Sequence, residues 1–254
     1  MNGNGIGPDS LTRGQMNLRW AVGVLGIWFP IILIVLGCFY YGEVRLTISD
    51  YYNFVASNNS SGSPKPLYYP ALRDFFVGVL FLIGLSLIYY TGYEKKINEF
   101  ISDKMATTIA GVCALGVAMI PTAAPSNAII LKYINLPFIS VSILHVIVAT
   151  LFFLSVTYIS FIVFTRTDPS EPMSPRKKRR NMIYIGCGTV MLVAIVLIGV
   201  VSVIGHWWPD LQTTLKEKCY IVLILESVSL VAFGFSWLTK AKASFLKIFG
   251  VVKG

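Results

Sequence analysis

"YYPALRDFFVGVLFLIGLSLIYYTGY" (residues 68–93) sets Arg73 and Asp74 side by side, directly ahead of an apolar run. That run, 75–93, approaches the roughly 20 apolar residues with which one helix crosses the hydrocarbon core of a bilayer. Five more runs of the same kind follow from the rest of the chain: 20–42, 105–122, 138–164, 182–205 and 219–239. Composition points the same way. Of 254 residues, 55% are hydrophobic and 13% charged, and the mean hydropathy is +0.70; soluble domains carry about 25% charged residues. The sequence predicts an all-α polytopic membrane protein, with a six-helix transmembrane domain over 20–239, a short segment 1–19 before it and a basic tail 240–254 after it. The run 105–122 is the shortest and 138–164 the longest, so the latter is expected to tilt. The first run is too long for a signal-peptide core and no small-x-small site follows it before "CFYYGEVRL", so it is expected to persist as a helix, bent at Pro30.

Lysine and arginine are distributed unevenly about these runs. Fifteen fall in 1–19, the second and fourth connections and the tail, against six in the first, third and fifth connections. By the positive-inside rule both termini face the cytoplasm. The same bias accounts for the net charge of +9 and for "PRKKRR" (175–180), which lies between two membrane runs. Nucleic acid is therefore not an expected partner. The connection "TRTDPSEPMSPRKKRR" (165–180) reads as a Pro- and Ser-rich, mobile cytoplasmic loop, and the tail "KAKASFLKIFGVVKG" as a short amphipathic helix in the membrane interface.

The first outer connection contains "EVRLTISDYYNF" and then "ASNNSSGSPKP", in which Asn58 and Asn59 each begin an N-x-Ser sequon. The four cysteines sit in or at the ends of the runs without ligand spacing and read as small hydrophobes. Tyr40, Tyr41, Tyr68, Tyr69, Trp207 and Trp208 are expected at the outer interface, and Trp20, Tyr90, Tyr93 and Trp237 at the inner one. Ala110, Ala114 and Ala118, beside Gly111, form a small-residue stripe suited to close helix packing.

Ionisable groups within membrane runs are costly and tend to face the bundle interior. Two stand out: His145 in "SVSILHVIVATLFF" and Glu226 in "YIVLILESVSLVAF". Each lies seven residues past the expected outer start of its run, about 10 Å deep at 1.5 Å per residue, on helices running the same way. Ser49, Asp50, Tyr51 and Tyr52 of the first outer connection, Arg73 and Asp74, and His206 can converge at that level. Asp74 suits a helix N-terminus, whereas the positive charge of Arg73 does not. Arg73 is therefore expected to pair with Asp50, Glu226 or a bound anion. The combined expectation is an outward-facing polar cavity, with Arg73 and Asp74 at its rim and His145 and Glu226 at its floor.

The segments "ISDYY", "RDFFVG", "YYTGY", "AGVCALGVAMIPT", the lone histidine of the fourth run and "LESVSLVAFGFSW" together resemble a family of six-helix bacterial integral membrane proteins known as a domain of unknown function. "ISD" is also similar to the DRAM group. The first resemblance implies a bacterial inner membrane and a single site made from Ser49, Asp50, Arg73, Asp74, His145 and Glu226. Three functions remain open: binding or remodelling of a lipid or other amphiphile; acid–base or metal-assisted lipid hydrolysis, with His145, Glu226, Asp50 and Asp74 as catalytic candidates; and proton-linked transport. The outward His, Asp and Ser resemble those of membrane zinc hydrolases such as the alkaline ceramidases, which implies zinc; with two histidines in the chain, a zinc would need both and a carboxylate. No cofactor is otherwise expected. HExxH, GxSxG, P-loop and GxGxxG patterns are absent from the sequence.

Overall fold

The computed structural model describes residues 13–42, 44–53, 70–90, 101–122, 140–166 and 173–248. Their regular secondary structure is all helical, with no strand among the described residues. The long helices are α1 (Arg13–Leu36), α2 (Pro70–Ile88), α3 (Asp103–Met119), α4 (Val141–Tyr158) and α5 (Pro175–Ile204). A short α6 (Pro209–Thr213) precedes the last long helix, α7 (Ile221–Ile248). The last turns of α1 (Gly37–Tyr41) and α4 (Ile159–Val163) widen into π-helical geometry. Five helices are long and apolar enough to cross a membrane: Gly14–Phe39, Ala71–Ile88, Val141–Val163, Pro175–Ile204 and Ile221–Lys242. With 17 residues, α3 is about 26 Å long, short of a hydrocarbon core of roughly 30 Å. Its length is set at both ends. The Ser102 hydroxyl accepts the Met105 N–H at 3.1 Å, and Ile120, held extended ahead of Pro121, stops the helix.

The long helices form a closed ring in which α1, α2, α3, α4, α5 and α7 are neighbours in turn and α7 returns to α1. The tightest joints are made by glycine. A Cβ at Gly234 of α7 would lie 2.5 Å from the Gly23 carbonyl of α1, and one at Gly111 of α3 would lie 2.5 Å from the Gly84 carbonyl of α2. Ala110, Ala114 and Ala118 are all buried beside Gly111, as the small-residue stripe implied.

Several local expectations are corrected. "PRKKRR" is helical: Ser174 caps the N-terminus of α5 by accepting the Lys177 N–H at 3.3 Å, and Pro175 takes the first-turn position that proline suits. Residues 240–248 continue α7 and form no separate helix. Tyr90 and Trp237, expected at an interface, are buried with their rings 5.2 Å apart, and Phe164 meets Trp237 at 5.2 Å. Trp207 and Trp208 are exposed. All four cysteines are free thiols. Tyr68, Tyr69, Tyr93, Asn58 and Asn59 lie outside the described residues.

Candidate functional site

Where α1 ends, Gly42 takes a left-handed conformation (φ 68°), open to glycine at little cost, and the chain folds back over the pole of the bundle. Segment 44–53 lies across the start of α2 and closes with a 3-10 turn, Ser49–Asn53. Its apolar side faces down, with Ile48 4% and Tyr51 0% exposed and Ser49 also buried. The expected open recess is thus covered by the chain's own segment.

Polar contacts at this pole come from α2, α4, α7 and the end of α3. From the second turn of α7, Glu226 Oε2 accepts the Ile48 N–H at 2.6 Å, joining positions 178 residues apart. The carboxyl group thereby satisfies a backbone donor just ahead of the 3-10 turn, where a negative group is favoured. Within the segment, the Asp50 N–H donates to Thr47 Oγ1 at 3.0 Å. Asp50 Oδ1 accepts from the Thr122 hydroxyl, just beyond α3, at 3.2 Å. The Tyr52 hydroxyl reaches the Met119 carbonyl at 3.5 Å. On α4, Nδ1 of His145 donates to the Ile120 carbonyl at 2.6 Å, which the extended backbone before Pro121 leaves free of the α3 ladder. His145 is 3% exposed, and its Nε2 is buried with no protein partner among the described residues. Burial pushes the Tyr51 phenol above its usual value, partly opposed by a hydrogen bond to the Arg45 backbone.

The structure therefore gathers Asp50, Tyr51, His145 and Glu226 beneath or within one covering segment. Two of the three partners expected for Arg73 are held elsewhere. Glu226 is engaged by Ile48 and Asp50 by Thr122, and Arg73 rests its guanidinium 4.8 Å from the centre of the Tyr52 ring while donating to the Tyr52 hydroxyl at 3.4 Å. Arg73 and Asp74 are both exposed at the start of α2. His206 is exposed beside Trp207, their ring centres 6.1 Å apart. A catalytic zinc takes three protein ligands and a water. Among the described residues no three His, Cys, Asp or Glu side chains come together to hold a metal.

The opposite pole carries a polar group that the sequence did not single out. Asp103, fully buried in the first turn of α3, is ion-paired with Arg166, whose guanidinium also donates to the Ile101 carbonyl at 3.2 Å. Nearby, Arg19 is 5% exposed and stacks 4.8 Å from the Tyr90 ring centre. Ser102 directly before Asp103 marks the start of α3 in the sequence, but not the burial of Asp103. A groove of about 540 Å³ between α5 and α7, lined by Ile183, Val190, Val228, Val231 and Phe235, is apolar.

The chain matches no protein-family model, no curated protein and no solved structure.

Proposed function

We propose that this is an integral membrane protein that crosses the bilayer six times, as in the six-helix bacterial proteins its sequence resembles, with both termini in the cytoplasm of a bacterial inner membrane. On this reading α3 completes its crossing with the extended residues that follow it. The Asp50 pole then faces outward, and it binds a lipid or other amphiphile by the polar head. One observation carries the proposal: Arg73 is exposed at the mouth of the bundle, braced on the Tyr52 ring with no carboxylate on it among the described residues. A guanidinium held in that way keeps most of its fork of donors for a phosphate or carboxylate head. Asp74, exposed beside it, can take an amine or hydroxyl of the same head. Glu226, through the Ile48 N–H, and Asp50, through Thr122, hold the covering segment that presents Tyr52.

The test is native mass spectrometry of protein released in mild detergent. Wild-type protein and Arg176→Ala, altered at the exposed opposite end of α5, should carry a lipid adduct that Arg73→Ala loses. Equal adducts on all three, or none on wild type, would defeat the proposal.

A further inference from the structure

Polar groups continue inward from the Asp50 pole along the facing sides of α4 and α7. Glu226, Ser229 and Ser236 lie on one flank of α7, and His145, Thr157 and Ser160 on the buried side of α4. The two helices are aligned by two contacts. The Phe152 and Phe233 rings meet edge-on at 6.0 Å, and deeper in, the Ser160 and Ser236 hydroxyls are 2.6 Å apart while Ser160 donates to the Tyr184 carbonyl at 3.1 Å. In this register Ser229 sits about one turn inward of Glu226, and Thr157 about one turn outward of Ser160.

A serine or threonine within a membrane helix ordinarily satisfies its hydroxyl on the carbonyl four residues back. Ser227, Thr165, Thr189, Ser202 and Thr239 all do so here. Ser229 and Thr157 do not. Their hydroxyl oxygens are buried with no protein partner among the described residues, the residues being 1% and 4% exposed. His145 Nε2 is in the same condition on the same seam. With Nδ1 donating to Ile120, a neutral imidazole offers Nε2 as an acceptor, while each hydroxyl can both donate and accept. Three buried polar atoms turned from their own helices, two of them hydroxyls and none formally charged in the neutral tautomer, call for a small neutral ligand with both donors and acceptors.

We infer that the seam between α4 and α7 is a hydration site, in which water bonds to His145 Nε2, Ser229 Oγ and Thr157 Oγ1. The Phe152–Phe233 pair divides it into an outer compartment at His145, Glu226 and Ser229 and an inner one at Thr157, Ser160 and Ser236. A buried water needs two to four polar partners; the outer compartment offers His145 Nε2 and Ser229 Oγ, and the inner one Thr157 Oγ1 with the hydroxyls of Ser160 and Ser236. The inference does not depend on lipid binding, since it concerns atoms below the covering segment. Its consequence is that His145, 3% exposed, meets internal water while shielded from bulk solvent.

The experiment is water-edited solid-state NMR on the full chain in liposomes. Magnetisation from water should reach Ser229 and Thr157 several-fold faster than Ala110 and Ala114 in the tight α2–α3 joint. Rates at Ser229 and Thr157 as slow as at those alanines overturn the inference. Melting of Thr157→Val and Ser229→Ala gives a second reading. If water is bound, each substitution strands it and lowers Tm by about 2–4 °C. If the seam is dry, deleting an unsatisfied hydroxyl leaves Tm unchanged or raises it, which also overturns the inference.

Discussion

Replacing Glu226 by alanine is expected to loosen segment 44–53 and destabilise the protein as a whole. The carboxyl group accepts the Ile48 N–H at 2.6 Å, and Ile48 is 4% exposed, so bulk water cannot readily take its place. Losing the bond and stranding a buried donor together cost about 2–3 kcal/mol. For a chain of this length each kcal/mol moves the melting temperature by about 2–4 °C, so Glu226→Ala should fall by about 4–12 °C. Glu226→Gln keeps a carbonyl acceptor on the same stem and should lose about 1 kcal/mol or less. A local readout separates this from a general loss of packing. Where exchange follows local opening of the segment, 2–3 kcal/mol corresponds to about 30- to 150-fold faster hydrogen exchange at the Ile48 amide. That rate should rise in the alanine variant while the Ala110 and Ala114 amides of α3 stay slow. Unchanged Ile48 exchange and unchanged melting in Glu226→Ala would refute the idea that α7 anchors the covering segment.

Arg166→Ala removes the cation from fully buried Asp103 and should cost about 3–5 kcal/mol, with part of that loss recovered in the Asp103→Ala, Arg166→Ala double variant; a silent single variant in thermal melting contradicts it. Tyr51 gives a pH signature. Burial raises its phenol above the ordinary value of about 10, so the folded state favours the neutral form. Its contribution is complete below about pH 10 and is lost as pH rises through the folded value. Wild type should therefore lose more stability than Tyr51→Phe as pH climbs above about 10, and parallel unfolding curves for the two would count against burial as the cause.

The membrane-spanning character was readable because long apolar runs have few other uses, and the runs at 75–93, 138–164, 182–205 and 219–239 all overlap long helices. Helix ends were harder. In "RGQMNLRW" the polar residues hide the start of α1, yet Arg19 turns inward onto Tyr90, its long stem packing while its charge meets a ring face. Tyr90 and Trp237 fit an interface as well as a core by chemistry alone, and only the return of α7 against α1 and the α2 terminus decides for the core. His145 and Glu226 were visible as ionisable groups in apolar surroundings. Their partners were not, because the Ile120 carbonyl and the Ile48 N–H are backbone atoms with no side-chain signature. The same holds for Arg73. A sequence shows that a misplaced charge wants company, but the neighbour proved to be an aromatic ring brought over by the fold-back of 44–53. Asp103 and Arg166 read as ordinary flanking charges because nothing local distinguishes a buried pair from two solvated groups.

The claim on which the functional reading rests is that the exposed end of α2 and the segment above it receive a lipid's polar head. Liposomes containing a phospholipid with a photoactivatable headgroup test it directly. Cross-links are expected in peptides spanning Tyr52 and Arg73–Asp74, and should fall away in Arg73→Ala. Labelling confined to the apolar α5–α7 groove around Val190 and Val231, or spread evenly over the lipid-facing helices and unchanged by Arg73→Ala, would contradict it.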